Sequence, residues 1–251
     1  MKKLLFALLS LSLAFTACKK NNNNNNNNPN NNAPAPAPQP NFASGNIGLV
    51  AIKALSSSVV AGFPIKTEIG TGAALFGDLA AQSYVDAGDV KLNDNLFTKS
   101  ANNTYYFAPS QNAPTGIDLS SNIVWNVGGN NGNNIPNFTL NVTSQGMPST
   151  GDLDVPASID ANNDFTLKVN GSISNSDSVY FQIVGSNGTN ILKRKAANTS
   201  SALFTAAELQ TLGKGMTTIT IAPFNVSSYA ISGKTVYAVN EVALSSIVEI
   251  K

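Results

Sequence analysis

The side chains that do most enzymatic chemistry are scarce in this chain of 251 residues. Histidine is absent, and Cys18 is the single cysteine. Ser-His-Asp and Cys-His nucleophile arrangements are therefore excluded, together with most zinc sites. Of the 14 Asp and Glu residues, a suitably spaced pair could in principle cleave a glycoside, but no pair is singled out by its spacing. Oxygen donors gather twice: Asp86, Asp89 and Asp94 with Asn93 and Asn95, then Asp152, Asp154, Asp160 and Asp164. Calcium accepts such ligands, yet neither run has EF-hand spacing. Asp and Asn also form turns between strands, and that reading is preferred here, with no metal and no cofactor expected. Gly70-Thr71-Gly72 and Gly128-Gly129 read as turn glycines and open no helix that would seat a phosphate. Three aromatic residues are candidate ligand contacts: Tyr105, Tyr106 and Trp125. An exposed ring would stack on a sugar. Tyr106 is expected to face away from Tyr105 and Phe107 on one strand, whereas Trp125 shares a face with Ile123 and Val127, which favours the core for it. A protein that is not an enzyme is expected.

Charge narrows the partners. Beyond the first 40 residues, 11 basic residues stand against 14 acidic ones, a net of about −3. A weakly acidic, charge-poor body argues against nucleic-acid binding, which needs clustered Lys and Arg. Arg194 is the only arginine, so a bidentate phosphate clamp is not expected either.

The N-terminus reads as an address. Lys2 and Lys3 precede an apolar run from Leu4 to Ala17. That run, about 21 Å long as a helix, suits a signal peptide and is short for a membrane span. Phe15-Thr16-Ala17-Cys18 resembles the lipobox of bacterial lipoproteins, although Phe15 stands where leucine is usual. The resemblance implies cleavage before Cys18 and acylation of that cysteine, and several acyl chains on one residue hold a protein firmly to a membrane. Residues 1–17 are thus a leader and 18–40 a lipidated tether. In the tether Lys19 and Lys20 precede runs of asparagine and an Ala-Pro alternation, neither of which can bury enough apolar surface to offset ordering. The Pro-Ala part is expected to be semi-extended.

The remainder divides at 149–150 into two β bodies, 41–149 and 150–251, with the boundary in the segment 147–157, which contains Pro148 and Pro156. Period-two alternation recurs throughout and marks half-buried strands. Ile123, Trp125 and Val127 form one such series; Phe138, Leu140 and Val142 form another. Phe165, Leu167 and Val169 follow, then Val179, Phe181 and Ile183, then Ile219 and Ile221. In the first body strands are expected at 47–54, 64–69, 85–92, 104–108, 123–127 and 137–143, with 70–81 either a loop or a short helix. In the second they are expected at 165–170, 178–185, 190–195, 202–204, 217–224 and within 235–250. One short helix is expected near 205–212, because Thr205-Ala206-Ala207-Glu208 is a capping box and Gly213 can supply a left-handed stop. The fold class expected is all-β, and strand count and spacing suit a sandwich. A short helix just before the strand 217–224 resembles the E–F crossover of many bacterial immunoglobulin-like domains, which implies antiparallel immunoglobulin-like sandwiches, two in tandem.

The tether resembles that of surface lipoproteins of Bacteroidetes-type bacteria, and most of the body, the stretch 83–142 (84–90, 123–129 and 135–142) together with the second half, resembles lipoproteins of the same bacteria. The resemblance implies two stacked β domains on a leash at the outer membrane, on either of its faces, and carries no known activity. Asp177-Ser178-Val179 resembles the O-glycosylation acceptor of the same bacteria, with a plain strand entrance as the alternative for Ser178. The functional expectation is a non-catalytic envelope lipoprotein. It would touch the membrane through its lipid and bind a protein or glycan, or act as a spacer. Carbohydrate capture through exposed aromatics is the alternative, and a carboxylate glycosidase a remote one.

Overall fold

The computed structural model describes residues 46–60, 63–78, 81–143 and 145–251. Cys18, the leader and the tether lie outside the described residues. The described chain is all-β, in three sheets. The largest has nine strands. Its path runs β13 (Asn190–Ala196), β12 (Ser178–Val184), β15 (Gly215–Ile231), β16 (Lys234–Ile250), β1 (Ile47–Val60), β2 (Phe63–Asp78), β7 (Tyr105–Phe107), β6 (Thr98–Lys99), with β3 (Ser83–Tyr84) also paired to β2. Neighbours are antiparallel except β1 and β16, which run parallel. Strands β15 and β16 have 17 residues each, about 55 Å if fully extended. Their hairpin closes on Ser232 and Gly233, both at positive φ. Two such residues make the tight turn whose twist matches that of the flanking strands, and glycine adopts it without steric penalty.

Two cores form on one face of this sheet. Over its β1, β2 and β7 part lies a four-stranded sheet ordered β5 (Asn95–Leu96), β4 (Val90–Leu92), β8 (Val124–Val127), β9 (Phe138–Asn141). Trp125, Phe76, Leu92 and Leu140 fill the space between, with Phe97 edge-on to Trp125 at 5.4 Å and Phe76 edge-on to Tyr105 at 5.5 Å between ring centroids. Over the β12, β15 and β16 part lies a three-stranded sheet ordered β10 (Ser149–Leu153), β11 (Phe165–Ser174), β14 (Ser201–Phe204). Phe181, Leu167, Phe204 and Ile221 fill that core, closed at one end by Leu209 of helix α1 (Ala206–Gln210). Thr205 and Glu208 make the reciprocal capping box at its start.

The long strands serve both cores. Val236 and Ala238 of β16 pack in the first core, while Val242, Leu244 and Val248 of the same strand pack in the second. At the change-over the inward residues turn polar. Asn225 and Asn240 are buried and donate to the carbonyls of Gly146 and Gln145 at 2.9 and 2.7 Å. Asp177 accepts from the Val226 amide at 2.8 Å. This seam fixes the chain segment that passes from one core to the other.

Several expectations change. Residues 70–78 are neither loop nor helix but the second half of β2. Its small residues answer close approaches: a Cβ on Gly70 would stand 1.8 Å from the Ile117 carbonyl oxygen, because 116–117 bridges directly onto the strand. Of the expected strand 85–92 only Val90–Leu92 is a strand. The segment 147–157 contains strand β10 between its two prolines. The strand expected at 217–224 continues to Ile231, past Pro223, with its register to β16 unchanged on either side.

Candidate functional site

The structure places the three aromatic candidates apart. Trp125 is fully buried in the first core and Tyr105 is buried beside it, while Tyr106 is 44% exposed. Alternation along β7 explains the split: Tyr105 points into the core and Tyr106 to the opposite face. No common stacking platform forms from these three rings.

Tyr105 instead organises the acidic segment that precedes β4. Its hydroxyl donates to Asp86 Oδ1 at 2.7 Å and accepts from the Ala87 amide at 2.9 Å. Burial, reinforced by the hydrogen bond to Asp86, pushes the phenol up to about 12. Asp86 also takes the Lys99 ammonium at 2.9 Å and the Gly88 amide at 3.0 Å. The Tyr105 hydroxyl first, then Lys99 and the Gly88 amide, hold its carboxyl down at about 2. Asp86 is a fully engaged structural carboxylate.

The other acids are dispersed in the same way. Asn93 and Asp94 both have positive φ and form the two-residue turn between β4 and β5. The Asp89 carbonyl accepts from the Gly128 amide at 2.7 Å. Asp152 pairs with Lys66 at 2.7 Å and Asp154 with Lys168 at 3.4 Å. Asp160 accepts from the Asn162 amide and from the Asn163 side chain. Asp164 accepts from the Ala206 amide at the start of α1. Among the described residues no three acidic, cysteine or histidine side chains converge as metal ligands would. Asp86, Asp89 and Asp94 thus occupy separate turn and network positions. Ser178 is fully buried at the start of β12, where its hydroxyl accepts from Arg194 at 3.1 Å, so it cannot accept a glycan in the folded chain.

What sequence reasoning missed is the second face of the nine-stranded sheet. Among the described residues, eight buried apolar ones belong to neither core: Val50, Ile52, Ile69, Ala196, Ala222, Phe224, Val239 and Ala243. Those on β1, β15 and β16 alternate with core residues such as Leu49, Ile221 and Ala238, so they point to the opposite side. Phe224 stacks on Tyr180 at 4.9 Å, and the Arg194 guanidinium lies 5.8 Å from the Phe224 ring centroid. Glu241 stands on the same face, cross-strand from Phe224 and beside Ile52. It is 2% exposed, its Oε1 has no hydrogen-bond partner among the described residues, and burial lifts its carboxyl to about 8. Tyr106 lies at the far edge of this face, across from Ala73. The signal was present in the unbroken apolar runs Leu49-Val50-Ala51-Ile52 and Ala238-Val239, which suit strands covered on both sides.

No protein-family model matches the chain, and no curated protein sequence matches it.

Proposed function

We propose that the protein is a non-catalytic lipoprotein of the bacterial cell envelope. In this reading Cys18 carries the lipid, and the β body is presented at the outer membrane as a spacer or as a binding surface for an envelope protein or glycan. The observation that carries the reading is the nine-stranded sheet running through both cores. Strands of that length, hydrogen-bonded on both sides, make a stiff beam, which suits a role of holding something at a distance from a membrane. Among the carboxylates that sequence analysis singled out, those of Asp86, Asp152, Asp154, Asp160 and Asp164 are engaged in hydrogen bonds or ion pairs, which supports structural rather than catalytic roles for them.

We further infer an immunoglobulin-like sandwich for the second body. Strand order supports it: β13-β12-β15-β16 faces β10-β11-β14, a Greek-key arrangement of four strands over three, with helix α1 in the crossover between β14 and β15. The test of the address is metabolic labelling with a fatty acid. The chain should incorporate label and fractionate with outer membranes, and Cys18→Ala should lose both. Equal labelling of Cys18→Ala would refute the reading, as would hydrolysis of a polysaccharide by the purified protein that one carboxylate substitution abolishes.

A further inference from the structure

We infer that β1 and β16 form a mechanical clamp, which lets the body carry tension between the start of β1 and the far end of β16. The observation is one of strand direction. Every other pair of strand neighbours in the nine-stranded sheet is antiparallel, but β1 and β16 run parallel, from Ile47 beside Val236 to Ser56 beside Ser245. In a parallel pair the start of one strand and the end of the other lie at opposite ends of the ladder. A pull on the start of β1 and the end of β16 therefore acts along both strands. It loads their ten residue pairs together, in shear. A pull on two points at the same end of the ladder would instead open the pairs one after another.

The surroundings oppose a gradual slip. β1 is held on its other side by fourteen residue pairs to β2, and β16 is held by β15 along residues 215–231. Sliding a strand by one residue turns each of its side chains to the opposite face. For β1 that would take Ile47, Leu49 and Ala51, all 0% exposed, out of the first core and turn Val50 and Ile52 into it. Residues 47–52 are buried on both faces, so a shifted register loses packing on both sides at once. The end of β16 is latched as well. The Ile159 amide donates to the Glu249 carbonyl at 2.8 Å, and the Lys251 amide donates to the Ile159 carbonyl at 2.9 Å. Ile159 is buried in the second core, which therefore opposes fraying at that end. Between an anchor on Cys18 and a partner held at the far end of β16, this geometry keeps the body folded under drag. That use rests on the lipid address proposed above, whereas the clamp follows from strand direction and packing alone.

Single-molecule pulling on the unlipidated full chain tests the clamp, with the Cys18 thiol as one handle. The second handle is introduced by Lys251→Cys or by Lys234→Cys; Lys234 opens β16 beside the turn at Ser232 and Gly233. The chain between Cys18 and Asn46 is common to both axes. Forced unfolding at a fixed pulling speed reports the barrier met along each axis. The Lys251→Cys chain should yield at a force severalfold higher than the Lys234→Cys chain, in which β1 peels from β16 pair by pair. Its body should also be released in one step, because both cores share the clamped strands. If Lys234→Cys lowers the urea midpoint, Ser228→Cys replaces it; Ser228 is exposed and pairs with Tyr237 at the same end. Equal forces along the two axes overturn the proposal, and so does a first rupture along the Lys251 axis that releases only part of the body. Neither chain is acylated, so failure here leaves the lipid address standing, and loss of the fatty-acid label leaves the clamp standing.

Discussion

Two ionisable side chains, the partly exposed Asp86 and the buried Glu241, pull the stability of this protein in opposite directions with pH. Asp86 is held at about 2 by Tyr105, Lys99 and the Gly88 amide, below its ordinary 3.8. Its stabilisation is fully present above that ordinary value and is lost as pH falls toward 2. Glu241 is the reverse case: burial raises it from 4.5 to about 8. Below about 4.5 it is protonated folded and unfolded and costs nothing as a charge. Between there and about 8 only the unfolded chain ionises, so stability falls through that window. Glu241→Gln should therefore leave the unfolding free energy measured in urea almost unchanged near pH 4 and raise it near pH 8, by an amount on the order of a few kcal/mol. An equal effect at both pH values would contradict the assignment. Tyr105→Phe tests the other network. It leaves the Ala87 amide and Asp86 each short of a partner and should destabilise by about 1–3 kcal/mol. It should also move the acid-induced loss to higher pH, read by circular dichroism.

At the scale of the element, the decisive positions are places where backbone meets backbone. Gly70 and Gly116 bridge each other, and a Cβ on either would fall within 1.9 Å of a carbonyl oxygen. Gly116 also has φ +72°, a conformation that side chains rarely adopt. Gly70→Ala should cost upward of about 3 kcal/mol in chemical denaturation, because the loop 110–119 must lift off β2 and take Ile117 and Leu119 out of the core. Gly146→Ala, with nothing within 4 Å of the added atom, should stay within about 0.5 kcal/mol of the unaltered chain. These contrasts also mark what was legible beforehand. Alternation located β8, β9, β11 and β12, and the Thr205–Glu208 capping box located α1, because each is a local pattern. The second half of β2 reads as Gly-Thr-Gly-Ala-Ala, a string of turn and small residues. Its strand character comes from pairing with β1 and from the loop pressed on it, neither of which leaves a local mark. The stretch 225–231 was missed for a related reason: the turn at Ser232 and Gly233 and the pairing with β16 carry the strand through, and neither lies in the local pattern of 217–224.

For the whole molecule the question is whether two cores mean two folding units. The sequence division at 149–150 separates most residues of the two cores, but β15 and β16 cross from one to the other, and the seam of Asn225, Asn240 and Asp177 ties the connecting segment to both strands. Melting the second core would strip β16 of β15, its partner through residues 215–231, and leave β1 on an unsupported edge, since β1 pairs with β16 over ten residues. The first core would then lose Val236 and Ala238. Shared strands of this kind favour one cooperative transition over two. Trp125 makes the test direct: it is the only tryptophan and sits wholly in the first core. Phe181→Ala, which opens a cavity in the second core, should cost about 3–5 kcal/mol. The urea midpoint followed by Trp125 emission should move by the same amount as the midpoint followed by far-ultraviolet circular dichroism. A tryptophan transition that stays in place while the dichroism splits into two steps would mean that the beam bends at the seam and that each core stands alone.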